Sequence, residues 1–322
     1  QTGPRLLHIK TIKGKGYPPA EKEQTKWHSA NKYVKIEQPS RPTVKWQDVY
    51  GDMLLALAES NPKIAGITPA MPSSCGMIKA MTAFPNRFFD VGIAEQHAVT
   101  SAAGMAYTGL HPVVAVYSTF LNRAFDQLLL DVALHGAGVT FVLDRAGVTG
   151  DDGPSHHGIW DLALTGIVPT LHVAAPRDAA RLRETLRESL EISDAPSLIR
   201  FPKGAVQSDI PAFERRDGID VLYRGESADV LLISVGSMAA IAVEAASQAY
   251  REGVGVTVID PRWVKPLPTS LITMAQRYKS VVVLEDGIKH GGIASTISEM
   301  FRDAGLTVPV HSIGVPLTFI EH

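Results

Sequence analysis

Cysteine is almost missing from this chain: Cys75 is the only one in 322 residues. A lone thiol excludes an internal disulfide and any multi-cysteine metal site, and it suits a reducing cytoplasm. Long apolar runs are also missing. Nothing approaches the roughly 20 residues needed to span a bilayer, and the amino-terminal segment has no targeting pattern. There is no short repeat and no low-complexity tract. A formal net charge of −2 argues against non-specific binding to nucleic acid or to an anionic membrane. What remains is 45% hydrophobic and 20% charged residues, the composition of a globular chain with cores for about two domains.

The ends are unusual. The chain opens on Gln1 rather than Met, and Arg5 to Ile12 reads at once as a strand. It closes on Phe319-Ile320-Glu321-His322 with neither a helix stop nor a polar tail. The expectation is a piece of a longer protein. Gly14, Gly16, Pro18 and Pro19 end the first strand, and residues 20–42 read as a polar linker.

Helix and strand patterns then alternate. Val49, Met53, Leu54 and Leu57 share one face of a helix from Trp46 to Glu59. Strands are expected at 64–68, 88–91, 113–117, 139–143, 171–174 and 198–201. Helices are expected at 95–106, through Asp126 and Leu130, and at 178–190. The pattern restarts with strands at 230–235, 256–259, 281–284 and 308–313, separated by helices at 239–250, 270–278 and 293–301. Continuous apolar strands between helices mean a parallel sheet covered on both faces. The fold class is therefore α/β, with two three-layer α/β/α domains and mostly parallel sheets. The expected boundaries are 43–203 and 227–322, with a linker at 204–226.

Ligands of open α/β sheets sit beyond the carboxyl ends of the strands, and chemically useful residues recur there. Glu95 follows one strand, Tyr117-Ser118-Thr119-Phe120 another, Arg145-Ala146-Gly147 a third, and Arg200-Phe201-Pro202-Lys203-Gly204 ends the last. Two readings fit Glu95: a buried carboxyl used in acid/base work, or a first-turn glutamate favoured by the helix dipole. The stretch Gly150-Asp151-Asp152-Gly153-Pro154-Ser155-His156-His157-Gly158 is either a polar substrate loop or a turn capped by its own Asp and Ser side chains. It matches no helical zinc spacing. Arg123, Arg145 and Arg200 either converge on a phosphate, whose oxygens guanidinium binds bidentately, or form separate ion pairs. Gly14-Lys15-Gly16 does not fit the phosphate-loop pattern. Gly291-Gly292, after Glu285-Asp286-Gly287, lets a helix start close to a strand end.

Several long motifs, in order, resemble one family. Asp90-Val91-Gly92-Ile93-Ala94-Glu95-Gln96-His97-Ala98-Val99-Thr100 is similar to the pyrimidine-domain motif of the transketolase superfamily, in the form found in 1-deoxy-D-xylulose-5-phosphate synthases. Tyr117 through Gln127, Asp144-Arg145-Ala146-Gly147, Asp152 through His156, and Arg200 through Gly204 resemble that family's later motifs. Lys13 through Glu21, with Trp27-His28, resembles the end of its diphosphate-binding domain, which assigns residues 1–42 to that end and a linker. The resemblance implies the carboxyl-terminal two-thirds of such a synthase, a thiamine-diphosphate-dependent transferase joining two carbons of pyruvate to D-glyceraldehyde 3-phosphate with loss of carbon dioxide. The product feeds isoprenoid and thiamine biosynthesis.

By the same resemblance Glu95, His28 and His156 are catalytic. Tyr17, Glu95, Phe120 and Arg123 face the cofactor, while Tyr117, Arg145, Asp152, His156 and Arg200 line the sugar-phosphate channel. It further implies a cytoplasmic homodimer, working with the amino-terminal part of the same protein. The family's Gly-Asp-Gly motif and downstream Asn, which hold Mg2+ and the diphosphate, are not found in this sequence, so no metal ligand is assigned. The rival readings are a β subunit of a 2-oxoacid dehydrogenase and a non-catalytic module of the same fold.

Overall fold

The computed structural model describes residues 3–23, 27 and 43–321. It falls into two compact units, Gln1–Pro42 and Thr43–His322.

In the first unit, helix α1 (Pro18–Lys22) starts on prolines, whose missing N–H groups have no intrahelical partner there anyway. Glu21 Oε1 accepts from the Gly16 N–H at 2.8 Å and fixes the preceding turn. The strand expected at Arg5–Ile12 is absent: those residues carry no regular structure, and Leu6 is 94% exposed. A strand needs a neighbour for its backbone groups, and no described residue pairs with this one.

The second unit begins with α2 (Trp46–Ser60), β1 (Ile64–Thr68), α3 (Ile78–Ala83), β2 (Phe88–Asp90), α4 (Glu95–Tyr107), β3 (His111–Tyr117) and β4 (Thr140–Ala146). It continues with α5 (Asp161–Gly166), β5 (His172–Ala174), α6 (Ala179–Glu191) and β6 (Ser197–Pro202). Next come β7 (Glu214–Arg216), β8 (Ile219–Tyr223), β9 (Val230–Ser234), α7 (Ala239–Arg251), β10 (Val256–Asp260) and β11 (Trp263–Lys265). The last elements are α8 (Ser270–Ala275), β12 (Ser280–Ile288), α9 (Ile293–Asp303) and β13 (Val310–Val315).

Two sheets result, in the orders β11-β5-β6-β4-β3-β1-β2 and β13-β12-β9-β10-β8-β7. In the first, every pairing is parallel except β11 with β5. In the second, β10–β8 and β7–β8 are antiparallel and the rest parallel. β1 is buried along its whole length and β3 along all but its last residue, as a sheet covered on both faces requires. The small residues Ala98, Ala102 and Ala103 of α4 are buried, in a helix that packs on β3.

Three features departed from the sequence reading. Residues 214–223, inside the expected linker, form the β7–β8 hairpin of the second sheet. Its turn is Asp217-Gly218, with φ of 47° and 85°, the dipeptide that two-residue hairpins favour. β11 crosses over and pairs with β5 of the first sheet, binding the two sheets through backbone hydrogen bonds. The helix expected through Asp126 and Leu130 is a 3₁₀ segment, Ser118–Ala124, followed by a π-helical segment, Gln127–Ala133.

Buried ions reinforce the junction. Arg177, between β5 and α6, donates from Nη1 to Asp220 of β8 and Asp260 of β10, each at 2.7 Å. Its Nε and Nη2 donate to the Ile210 carbonyl. Burial raises the Asp260 carboxyl to about 6, against the pull of the Arg177 charge.

The amino ends of the first sheet carry a neutral ladder instead. His111 Nε2 and Thr140 Oγ1 are 2.8 Å apart, and Thr140 Oγ1 and Ser197 Oγ 3.0 Å. Burial lowers the His111 imidazole from 6.5 to about 4. A histidine depressed in the folded state binds its proton more readily when unfolded, so stability falls as pH drops through 6.5 and levels off below 4. Between pH 7 and pH 5 this amounts to about 2 kcal/mol. Urea denaturation should show that loss in the wild type and a smaller one in His111→Gln; equal losses would rule out this source.

Candidate active site

The residues singled out in the sequence gather at the carboxyl ends of the first sheet. At the ends of β1 and β2, Asp90 Oδ1 accepts from the N–H groups of Ala70, at 2.8 Å, and Gly92, at 2.9 Å. This ties both strand-end turns and delivers the chain into α4, whose first residue is Glu95.

Glu95 is 4% exposed. It borders an apolar recess with Ala98, Val99, Val116, Leu121 and Ala124. Ile93, two residues before Glu95, is 80% exposed and is not part of that recess. The nearest charge is Arg123, with Nη1 3.6 Å from Glu95 Oε1, too long for a hydrogen bond. No described residue hydrogen-bonds the Glu95 carboxylate. A buried carboxyl without a donor is costly, and a ligand that supplied one would relieve that cost.

β3 ends at Tyr117, where the 3₁₀ segment begins. Three residues per turn place positions i and i+3 on one side, which aligns Tyr117, Phe120 and Arg123. The Tyr117 and Phe120 rings stack with centroids 5.7 Å apart and planes 13° apart. The Arg123 guanidinium lies over Phe120 at 5.3 Å. His156 meets both rings edge-on, at 5.4 Å from Phe120 and 6.4 Å from Tyr117.

At the end of β4, Arg145 has φ of 63°, a left-handed conformation that costs a residue with a Cβ about 1–3 kcal/mol. That backbone lays its guanidinium over the Tyr117 ring at 3.9 Å, with Asp144 Oδ1 3.2 Å from Nη1 and Asp152 Oδ2 3.7 Å from Nε. Burial raises the Asp144 carboxyl to about 7, with Arg145 opposing. Lys203 then reaches Asp152 at 2.8 Å and Asp151 at 2.9 Å. Arg145, Asp152 and Lys203 thus form one chain of alternating charge beside the aromatic pair.

Arg200 is placed differently from expectation. Its side chain is buried, with Nε donating to Asp161 and Nη1 to Asp286, both at 2.6 Å. Nη2 is buried without a hydrogen-bond partner among the described residues. With one nitrogen of each guanidinium edge already engaged, a bidentate phosphate contact would have to displace a carboxylate. Burial works against the Arg200 charge, but the two carboxylates overcome it and raise its pKa.

Asp161, Asp286, Asp144 and Lys203 escaped the sequence reading. Asp161 gave no signal, because its partner Arg200 lies far along the chain; Asp144, Asp286 and Lys203 lay within quoted motifs but were given no role. The glycines of Gly291-Gly292 behave as expected: a Cβ on Gly292 would lie 2.3 Å from Glu285 Oε2, and Glu285 caps α9 by accepting from Ile293 N and Ala294 N.

In the first unit, Tyr17 precedes α1 and meets Trp27 edge-on at 5.1 Å. His28 lies outside the described residues. Among the described residues no cluster of three or more His, Cys, Asp or Glu could hold a metal ion.

Residues 42–208 match the model of the transketolase pyrimidine-binding domain, and residues 220–322 that of the transketolase C-terminal domain. The chain belongs to the transketolase family. Within the family, relatives at 51% identity are 1-deoxy-D-xylulose-5-phosphate synthases. That of Leifsonia xyli matches over 99% of this chain and 50% of its own length, and that of Mycobacteroides abscessus over 99% and 51%. The chain therefore spans about half the length of the curated relatives it matches, less than the two-thirds expected. A solved structure described as a split gene transketolase, inactive beta4 tetramer, superimposes with a TM-score of 0.77 at 31% identity, covering 87% of this chain and 92% of that one. Transketolase from Campylobacter jejuni shares the fold, with a TM-score of 0.72 at 18% identity over 89% of this chain and 44% of its own.

Two arginines of this family site should separate by stability. Removing one partner of a fully buried ion pair costs about 3–5 kcal/mol, so Arg200→Ala should lose that much in urea denaturation. Arg145→Ala, at a partly exposed and conformationally strained position, should lose less than half as much. Equal losses would show that Arg200 does not bear the load its geometry implies.

Proposed function

We propose that this chain supplies the pyrimidine-binding side of a thiamine-diphosphate site and the acceptor channel beside it, in a synthase that condenses pyruvate with D-glyceraldehyde 3-phosphate to 1-deoxy-D-xylulose 5-phosphate and carbon dioxide. The observation that carries this reading is Glu95: a nearly inaccessible carboxyl, without a hydrogen-bond donor of its own, opening a helix beside an aromatic pair. The 51% identity to named synthases supports the choice of reaction.

When bound, thiamine diphosphate supplies the carbon nucleophile that accepts pyruvate and allows decarboxylation. Glu95 holds a proton at N1′ of the aminopyrimidine, and its apolar surroundings strengthen that hydrogen bond by keeping water away. Phe120 stacks on the pyrimidine ring, and Arg123 orients Glu95 from 3.6 Å. Tyr117, Arg145, Asp152 and His156 line the acceptor channel. Arg145 offers charge-assisted donors to the acceptor phosphate, and His156 moves a proton at the acceptor carbonyl oxygen. Arg200 acts from behind, holding the loop and β12 together through Asp161 and Asp286. The family resemblance assigns Tyr17 to the cofactor and His28 to acid/base work, and Mg2+ with the diphosphate to residues of the preceding part of the protein.

The domain assignment follows: residues 1–42 close a diphosphate-binding domain and lead through a linker into the two domains of the second unit. A homodimer in the cytoplasm, taking up pyruvate and glyceraldehyde 3-phosphate, completes the reading. The similarity to a split gene transketolase described as an inactive beta4 tetramer supports the view that these two domains need a partner domain for turnover. No described helix is long and apolar enough to cross a membrane.

Two outcomes check this. Residues 1–322 alone, given cofactor, Mg2+ and both substrates, should form no product where the full-length protein does; equal rates would refute the need for the missing domain. In the full-length enzyme, Glu95→Ala should slow deuterium exchange at C2 of bound cofactor by orders of magnitude, with folding changed by no more than about 1 kcal/mol, the scale of a lost first-turn acid. Exchange at the wild-type rate would remove Glu95 from the mechanism.

A further inference from the structure

His157 has no role in the chemistry proposed above, yet it is the most deeply buried side chain of the loop that carries Asp152 and His156. It is 1% exposed. The loop is closed at its neck by a reciprocal pair of backbone hydrogen bonds, Gly147 N to Gly158 O at 2.9 Å and Gly158 N to Gly147 O at 2.8 Å. Inside the neck, His157 Nδ1 receives the Thr149 backbone N–H at 3.0 Å, and Thr149 Oγ1 lies 3.0 Å from the same nitrogen. Beyond that point the loop is held by short turns, Gly153 N to Gly150 O and His156 N to Gly153 O, by contacts of Arg145 and Lys203 with its acids, and by Thr119 Oγ1 donating to the Ser155 carbonyl at 3.4 Å.

The Thr149–His157 contact therefore ties the two ends of this span together. It also fixes the state of the ring. A nitrogen that accepts from a backbone N–H carries no proton, so Nδ1 is bare and the proton sits on Nε2. That Nε2 is buried and has no hydrogen-bond partner among the described residues. An orphan donor of this kind is unfavourable, and it is tolerated here beside the bond that Nδ1 makes. Consecutive side chains of the loop diverge: His157 turns inward to Thr149, and His156 meets Phe120 and Tyr117.

We propose that His157 is a positioning residue: as the neutral Nε2–H tautomer it latches the 149–157 loop to Thr149 and so sets where His156 and Asp152 stand against the acceptor. This rests on the acceptor-channel reading for its effect on turnover, but not for the latch itself.

Asparagine separates the latch from mere filling of space, because its Oδ1 occupies the place of Nδ1 and accepts the same N–H. In the full-length enzyme, His157→Leu should raise KM for D-glyceraldehyde 3-phosphate about tenfold, the effect of one hydrogen bond of ordinary strength, with kcat within about threefold. His157→Asn should stay within about threefold of wild type in both. If the leucine variant does not fold, His157→Ala carries the same expectation. Amide hydrogen exchange over residues 147–158 should be faster in the leucine or alanine variant and near wild type in the asparagine variant. Asparagine as damaging as leucine, or exchange unchanged in the variants lacking an acceptor, overturns the latch. A wild type that does not use glyceraldehyde 3-phosphate defeats the functional reading, and the exchange data then judge the latch by themselves.

Discussion

A guanidinium taken out of water must be met by carboxylates and hydrogen-bond acceptors or it unfolds its surroundings. Arg200 is met from two directions: by Asp161 of α5, beside the candidate site, and by Asp286 of β12, from the second sheet. Much else hangs on that placement. Asp286 also lies against Gly147, whose added Cβ would come within 2.8 Å of Asp286 Oδ2. Ile288 of the same strand donates to the Ile159 carbonyl. The neck of the 147–158 loop is therefore braced by the second sheet. Arg177 does the same work near β5 through Asp220 and Asp260, and β11 adds a backbone seam. The C-terminal domain thus contributes to the site by holding it.

Much of this was legible in the sequence, because the parallel sheets leave their periodicity and their strand-end motifs in plain view. Apolar strands such as Ile64–Thr68 and Val113–Tyr117 need cover on both faces, which fixes the α/β class. Glu95, Tyr117, Phe120, Arg145 and Asp152 could be placed at strand ends before any coordinates. The misreadings have physical causes. The β7–β8 hairpin was hidden by its polar residues, although Asp217-Gly218 announced the turn. The 3₁₀ segment after Tyr117 is invisible to a helical pattern, yet its threefold spacing aligns Phe120 and Arg123. Leu6 to Ile9 has strand propensity but no described neighbour to pair with. For Arg200 the sequence left phosphate binding and an ion pair both open, because its carboxylate partners, Asp161 and Asp286, lie far away along the chain.

The chemistry proposed depends on contrast between the edges of one sheet. At the amino ends, neutral groups, His111, Thr140 and Ser197, satisfy one another. At the carboxyl ends, charges are left partly unmatched: Glu95 lacks a donor, and Arg145 is held over Tyr117 by a strained backbone. Unmatched groups of this kind are costly to folding and useful to a ligand. The rival readings fare less well. A 2-oxoacid dehydrogenase β subunit would share the fold, but the relatives at 51% identity are synthases. A module without chemistry would have little reason to bury Glu95 without a hydrogen-bond donor among the described residues.

The central claim is the identity of the reaction, and the most direct measurement is product analysis of the full-length protein supplied with cofactor, Mg2+, pyruvate and D-glyceraldehyde 3-phosphate. The account requires 1-deoxy-D-xylulose 5-phosphate and carbon dioxide in equal amounts, with little product when a ketose phosphate replaces pyruvate as donor. Preferential transfer from the ketose phosphate, or carbon dioxide released without a condensed product, would contradict it.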